Sequence, residues 1–333
     1  MKSTVGETLR KCRIAAGKSV REMSELLTAN GFKASEKTIY SWENGNSQPT
    51  PDALLVMCRA YGVEDVLGTF GYAPEKPTTI AAHFDGNEFT PEQIEKIKES
   101  CRINVAVLDY VAEHIKAGVS TEEIDHWVHE ETVRHGGIPA PLNYEGFPKS
   151  VCTSVNEVVC HGIPSEDEIL KDGDIVNVDV STIYNGYFSD SSRMFCIGNV
   201  SPEKEKLVRV TKECVEIGIS KVKPWEPIGN MGHAVHMHAL ENGYTIVKEI
   251  GGHGVGLEFH EDPWVSYTSE ENSGVIMEPG MMFTIEPMVN MGSDEVYTDE
   301  EDDWTVRTED GMPSAQWEVT VLVTEDGCEV ICW

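Results

Sequence analysis

The chain has 333 residues and a formal net charge of −31. That length can bury a large core and accommodate two units, while the acidity excludes nucleic acid as a partner for most of the molecule. Lys and Arg number nine against eight Asp and Glu over residues 1–72 and 17 against 49 thereafter, and all eleven His follow residue 72. Two units with different tasks are therefore expected. Nine Cys without a CxxC pair imply neither a disulfide framework nor a zinc ribbon, and predict reduced thiols in a cytoplasmic protein. No leader is visible around Lys2, Arg10, Lys11 and Arg13. No apolar run approaches the roughly 20 residues that span a bilayer, so no membrane partner is expected.

Val5, Leu9, Cys12 and Ala16 recur at helical spacing until Gly17. Ser19-x-x-Glu22 is a capping box that opens a second helix, with Val20, Met23, Leu26 and Leu27 inward. Ser35 can cap a third, with Ile39 and Trp42 inward and Gly45 as its stop. Thr50-Pro51 starts a fourth. Four short helices are the composition of a helix-turn-helix unit. Ile39-Tyr-Ser-Trp-Glu-Asn-Gly45, Pro49-Thr50-Pro51, Leu54-Leu55 and Tyr61-Gly-Val63 resemble the Cro/repressor-like (XRE-type) helix-turn-helix family over about residues 4–68. The resemblance implies that Ser35, Lys37, Thr38 and Ser41 face DNA bases and that Arg21 lies near phosphate. The Asn30 to Ala34 connection is longer than the family's usual one, and a near-neutral module has little phosphate-driven affinity, so docking to another protein is the rival role. Residues 1–70 form this domain. The aperiodic, proline-containing stretch 71–90 reads as a linker and 91–333 as the second domain.

Thr90-Pro91-Glu92-Gln93 and Ser120-Thr-Glu-Glu123 cap two packing helices. The strand pattern from Ser150 ends in Cys160-His161-Gly162, which sets a histidine at the lip of a turn. Over 174–181, Val176, Val178 and Val180 alternate with Asn177 and Asp179, the pattern of a half-buried strand. Asn185-Gly186 then signals a two-residue hairpin leading into Tyr187–Phe195. Such a loop pairs Tyr184 with Tyr187 and Asp179 with Ser192, so Asp179 and Asp190 become diagonal neighbours on one face, roughly 7–8 Å apart. Two acids aimed at one spot repel unless a cation or proton lies between them.

His233, His236 and His238 lack an HExxH pattern and read as a helix surface rather than a metal site. Gly251-Gly-His-Gly-Val-Gly256 cannot be helical, and its glycines let backbone approach His253 closely. His260 follows seven residues later. Glu286 ends one strand, and Glu318 lies within the β-rich run Gln316–Val323, where a carboxylate is unfavourable unless bound. Asp179, Asp190, Glu286, Glu318 and His253 make an oxygen-rich set suited to two divalent ions. Manganese, iron or cobalt fit it better than zinc, which also fits but prefers thiolates in structural sites.

Asn156-Glu-Val-Val-Cys-His-Gly-Ile-Pro164, Asp172-Gly-Asp-Ile-Val-Asn-Val-Asp179, Gly252-His-Gly-Val-Gly256, Phe259-His-Glu-x-Pro263, Phe283-Thr-Ile-Glu-Pro-Met288 and Ser314-Ala-Gln-Trp-Glu318 resemble type I methionine aminopeptidases over about residues 90–330. The resemblance implies a pita-bread α/β (α+β) fold, with two pseudo-symmetric halves and helices outside a curved antiparallel sheet. It implies removal of initiator methionine from nascent polypeptides, with a small second residue preferred. Asp179 would chelate one metal, His253 and Glu286 the other, and Asp190 and Glu318 would bridge. His161 would meet the scissile amide nitrogen, His260 the carbonyl oxygen, and Glu286 would relay the proton. Tyr144, Phe147, Cys152, Phe259 and Trp304 match the methionine side-chain pocket. Three positions depart from the family: Pro141 for a pocket cysteine, Leu257 for an Arg and Val319 for a His. A proline-specific aminopeptidase of the same fold, or a DNA-binding regulator with a degenerate peptidase domain, are the alternatives. The acidic stretch Asp299–Asp303 reads as a solvated hairpin.

Overall fold

In a computed structural model, residues 5–63, 66–70 and 89–333 are described, and the chain divides into two compact units, 1–78 and 79–333. The expected linker lies outside the described residues except for Phe89 and Thr90. Unit 1 holds helices α1 (Val5–Ala15), α2 (Val20–Ala29), α3 (Glu36–Glu43), α4 (Pro51–Ala60) and α5 (Val66–Thr69). The Ser19 box closes both ways, Ser19 Oγ accepting from the Glu22 N–H and Glu22 Oε2 accepting from the Ser19 N–H. Leu9, Met23, Leu27, Ile39 and Met57 are fully buried between the helices. Glu43 is only 3% exposed, yet the Arg13 guanidinium donates to both its carboxylate oxygens, at 2.6 and 2.9 Å. A bidentate partner is what lets a charge sit in so small a core.

In unit 2 the helices are α6 (Pro91–His114), α7 (Thr121–Arg134), α8 (Pro202–Lys221) and α9 (Ile228–Glu241). The strands before α8 are β1 (Ile138–Pro139), β2 (Cys152–Val155), β3 (Val158–Cys160), β4 (Ile175–Tyr184) and β5 (Tyr187–Cys196). Those after α9 are β6 (Thr245–Ile246), β7 (Gly252–Gly254), β8 (Glu261–Val265), β9 (Met282–Ile285), β10 (Met288–Asn290), β11 (Val296–Thr298), β12 (Val306–Thr308), β13 (Ser314–Gln316), β14 (Val319–Val323) and β15 (Cys328–Cys332). All paired strands run antiparallel. β4 sits between β5 on one side and β1 and β2 on the other, while the largest sheet has the order β15-β14-β9-β7-β8.

Each half buries its sheet under two helices. Val107, Leu108 and Val111 of α6 and Ile124 and Val128 of α7 cover Val176, Val178 and Val180 of β4. Leu207, Cys214 and Val215 of α8 and Met231 and Val235 of α9 cover Phe283, Ile285, Val319 and Val321. This is the pita-bread arrangement of helices outside curved antiparallel sheet. The β4–β5 register is the one the Asn185-Gly186 turn dictates, with Tyr184 opposite Tyr187 and Asp179 opposite Ser192.

Two strand expectations are refined. β4 is buried on both faces, because Asn177 donates to the Gln316 carbonyl across 2.7 Å and ties its second face to the other half. The run expected to continue from Gln316 to Val323 is broken at Trp317-Glu318: β13 pairs with β10, whereas β14 pairs with β9 and β15. Glu318 stands at the crossing, bridged to Ser192 of β5.

Candidate active site

Each acid of the expected set reaches one cavity from a different strand segment. Asp179 comes from β4, Asp190 from β5, Glu286 from just beyond β9, and Glu318 from the step into β14. His253 joins them from β7, whose flanking glycines have no room for side chains: a Cβ on Gly254 would lie 2.1 Å from the Asp262 carbonyl. The His253 Nδ1 lies 2.9 Å from the Gly254 carbonyl. Donation there leaves Nε2 with its lone pair toward the acids. Nε2 is 3.7 Å from Asp190 Oδ2 and 3.6 Å from Glu286 Oε1, and Asp190, His253 and Glu318 offer ligand atoms within 4.8 Å of one another.

Asp190, Glu286 and Glu318 are only 4%, 6% and 1% exposed, and none of the four acids pairs with Lys or Arg among the described residues. Asp179 Oδ1 is buried with no hydrogen-bond partner among the described residues. Burial pushes the Asp179 carboxyl up to about 7 and that of Glu286 up to about 8. Burial, then the neighbouring carboxylates, push Asp190 and Glu318 well above the usual range. Gathered acids without a protein cation, one with an orphaned oxygen, fit a divalent metal held by oxygen and one imidazole.

The cavity measures about 680 Å³ and is lined by all twelve residues named from the sequence for metal, catalysis and pocket. His161 has a positive φ of 55°, sparsely populated for a residue with a Cβ. Gly162 makes the turn feasible, since a Cβ there would meet the Thr153 carbonyl at 2.1 Å. Burial, then nearby His260, holds His161 at about 4 and His253 at about 3, so both rings are neutral at working pH. His260 Nδ1 lies 3.1 Å from the Tyr144 hydroxyl, with the Phe259 ring tilted beside it at a centroid distance of 4.3 Å. Phe147 and Trp304 meet edge to face at 5.3 Å, and Cys152 and Pro141 complete the apolar side. Neither Leu257 nor Val319 lines the cavity: Leu257 packs near Phe89 and Val319 is core.

Sequence reasoning missed the residues that aim the acids. Ser181 donates to Asp190 Oδ1 at 2.8 Å, Thr284 to Glu286 Oε1 at 2.5 Å and Gln316 to Glu286 Oε2 at 3.0 Å. Tyr267, fully buried, accepts the Glu286 N–H at 2.7 Å. A signal existed for three of them: Ser181, Thr284 and Gln316 each stand two residues from a ligand candidate, at a spacing that shares a face in a strand. Nothing local marked Tyr267. His233, His236 and His238 all fall on α9, with His238 Nε2 3.0 Å from Glu213.

In unit 1, Lys37 is exposed on α3. Ser35 and Thr38 are joined in the helix cap, Ser41 Oγ contacts Ser47 Oγ at 2.7 Å, and Arg21 pairs with Glu25.

A model of metallopeptidase family M24 matches residues 95–325, and one described as a helix-turn-helix domain matches residues 4–67. Methionine aminopeptidase A of Synechocystis sp. is 46% identical over 72% of this chain and 94% of its own length. The crystal structure of methionine aminopeptidase from Rickettsia prowazekii superposes with a TM-score of 0.72 at 40% identity, covering 74% of this chain and 98% of the other. The prolidase from Pyrococcus furiosus shares the fold alone, at 24% identity and a TM-score of 0.59 over 73% of this chain and 64% of its own. The chain belongs to metallopeptidase family M24, among its methionine aminopeptidases.

Proposed function

We propose that the cavity removes the initiator methionine of newly made polypeptides in the cytoplasm, and that it prefers a small second residue. The observation that carries this reading is the convergence beside an aromatic recess of His253 Nε2 and four acids that have no Lys or Arg partner among the described residues. Asp179 would hold one divalent ion, His253 and Glu286 a second, and Asp190 and Glu318 would serve both. Cobalt, manganese and iron suit this donor set, with zinc a further candidate. Bound there, such ions polarise the scissile carbonyl and acidify the attacking water.

The remaining steps belong to the chain's own side chains. Phe147, Cys152, Phe259, Tyr144 and Trp304 receive the methionine side chain and exclude water. Glu286, aimed by Thr284 and Gln316, accepts the proton from the attacking water and passes it to the leaving amine. His260, steadied by Tyr144, donates to the carbonyl oxygen, where charge grows in the transition state. Neutral His161 meets the scissile amide nitrogen.

Protein reconstituted with manganese, iron or cobalt should cleave Met-Ala-Ser at least about 100-fold more efficiently, in kcat/KM, than Xaa-Pro peptides. Faster Xaa-Pro cleavage would move the chain to the proline-specific group. Silence toward every Met-peptide would make it a regulator with a degenerate domain.

For unit 1 we infer a DNA-binding or protein-docking role, supported by the helix-turn-helix match and by exposed Lys37 on α3. A gel-shift titration at low salt separates the two. A Kd tighter than roughly 1 µM that weakens in Lys37→Ala supports DNA, whereas no shift leaves docking.

A further inference from the structure

The acidic hairpin tip, solvated by its sequence, does more than face water. It joins β11 to β12, and while Glu300, Glu301 and Asp303 are exposed, Asp302 turns inward. Asp302 Oδ1 accepts the N–H groups of Trp304 and Thr305, each at 2.8 Å, and Oδ2 accepts the Thr305 hydroxyl at 2.6 Å. Asp303 between them has φ 59°, a conformation that a residue with a Cβ keeps only when its surroundings impose it. The tip's far side is held separately, with the Asp299 N–H on the Thr305 carbonyl at 2.8 Å and Arg307 Nε on Asp299 Oδ2 at 3.3 Å.

The Trp304 indole makes no hydrogen bond to another described residue; its ring sits edge-on to Phe147 at 5.3 Å and to His161 at 6.2 Å. Such ring contacts tolerate sliding. The place of the ring therefore follows from where the backbone puts its Cα, and that backbone is gripped by Asp302.

We propose that Asp302 is the positioning residue of the methionine pocket, its carboxylate fixing Trp304 against Phe147 and His161. The inference deepens the aminopeptidase reading and rests on it. A carboxylate suits the task because it offers two oxygens to three donors at once. Without it, the tip relaxes, Trp304 drifts, and the pocket loses the wall that orients the first side chain of the substrate.

Kinetics on Met-Ala-Ser test this in Asp302→Ala, Asp302→Asn and Thr305→Val. Asp302→Ala should raise KM about 10-fold while kcat stays within about 3-fold, the split expected when substrate positioning is lost rather than metal chemistry. Metal content should be unchanged, and Asp302→Asn, which keeps an acceptor for both N–H groups and can donate its amide to the Thr305 hydroxyl in place of the bond it loses, should return KM to within about 3-fold of wild type. An unchanged KM in Asp302→Ala overturns the proposal; if that variant does not fold, an unchanged KM in Thr305→Val overturns it. A wild-type protein inert to Met-peptides would instead sink the aminopeptidase reading. The positioning claim is then decided by a crystal structure of Asp302→Ala, or of Thr305→Val if that variant is the one that folds: Trp304 still in place refutes it, and Trp304 displaced supports it.

Discussion

Replacing His161 with alanine is expected to leave metal binding intact and to cut kcat for Met-peptides by about 10²–10³-fold. The ring lines the cavity without belonging to the ligand-atom group of Asp190, His253 and Glu318, and it makes no hydrogen bond to another described residue, so its nitrogens are free for substrate. Burial and the proximity of His260 hold it at about 4. It is therefore neutral over the working range and can meet the scissile amide without bringing positive charge near the metal centre. Its placement depends on backbone at φ 55° braced by Gly162, strain of the kind kept at functional positions. Metal content by elemental analysis, measured beside steady-state kinetics, checks both halves. Normal turnover in the variant would remove His161 from the mechanism; loss of metal would make it a structural prop of the centre.

Chelation should produce the second large effect, in stability rather than rate. In the metal-free protein, Asp179 is raised to about 7 and Glu286 to about 8, chiefly by burial. An unfolded chain releases those protons near pH 4. Between these limits the folded form binds more protons, so stability is greatest at the acidic end and is lost as pH climbs through about 7 and 8. Divalent ions replace the protons and remove that loss. The Tm of EDTA-treated protein should therefore fall between pH 5.5 and 8.5 by more than about 5 °C beyond any fall in manganese-loaded protein. Parallel pH slopes for the two forms would mean that these acids do not share a metal.

The paired acids show how far local signals reach. Asn185-Gly186 is a two-residue turn, and a strand's side chains alternate with period two, so the register placing Asp179 and Asp190 on one face follows from counting. The helix caps were equally legible, because Ser19, Ser35, Thr90 and Ser120 each satisfy a backbone donor within three residues. Glu318 was less so. Its run reads as one strand, and only the partners of β13 and β14 reveal that the chain changes sheets at that residue.

The sequence by itself determined the helix caps, the hairpin register and, through motifs at fixed spacing, twelve of the residues that line the cavity. These are local features, or patterns whose order along the chain carries the information. Tertiary structure alone decided that β4 is buried on both faces, that Tyr267 and Gln316 hold Glu286, and that Glu43 is paired inside unit 1. Each depends on which distant strand or helix supplies the partner. That choice is made by packing over the whole core, where burial sets the cost of leaving a polar group alone.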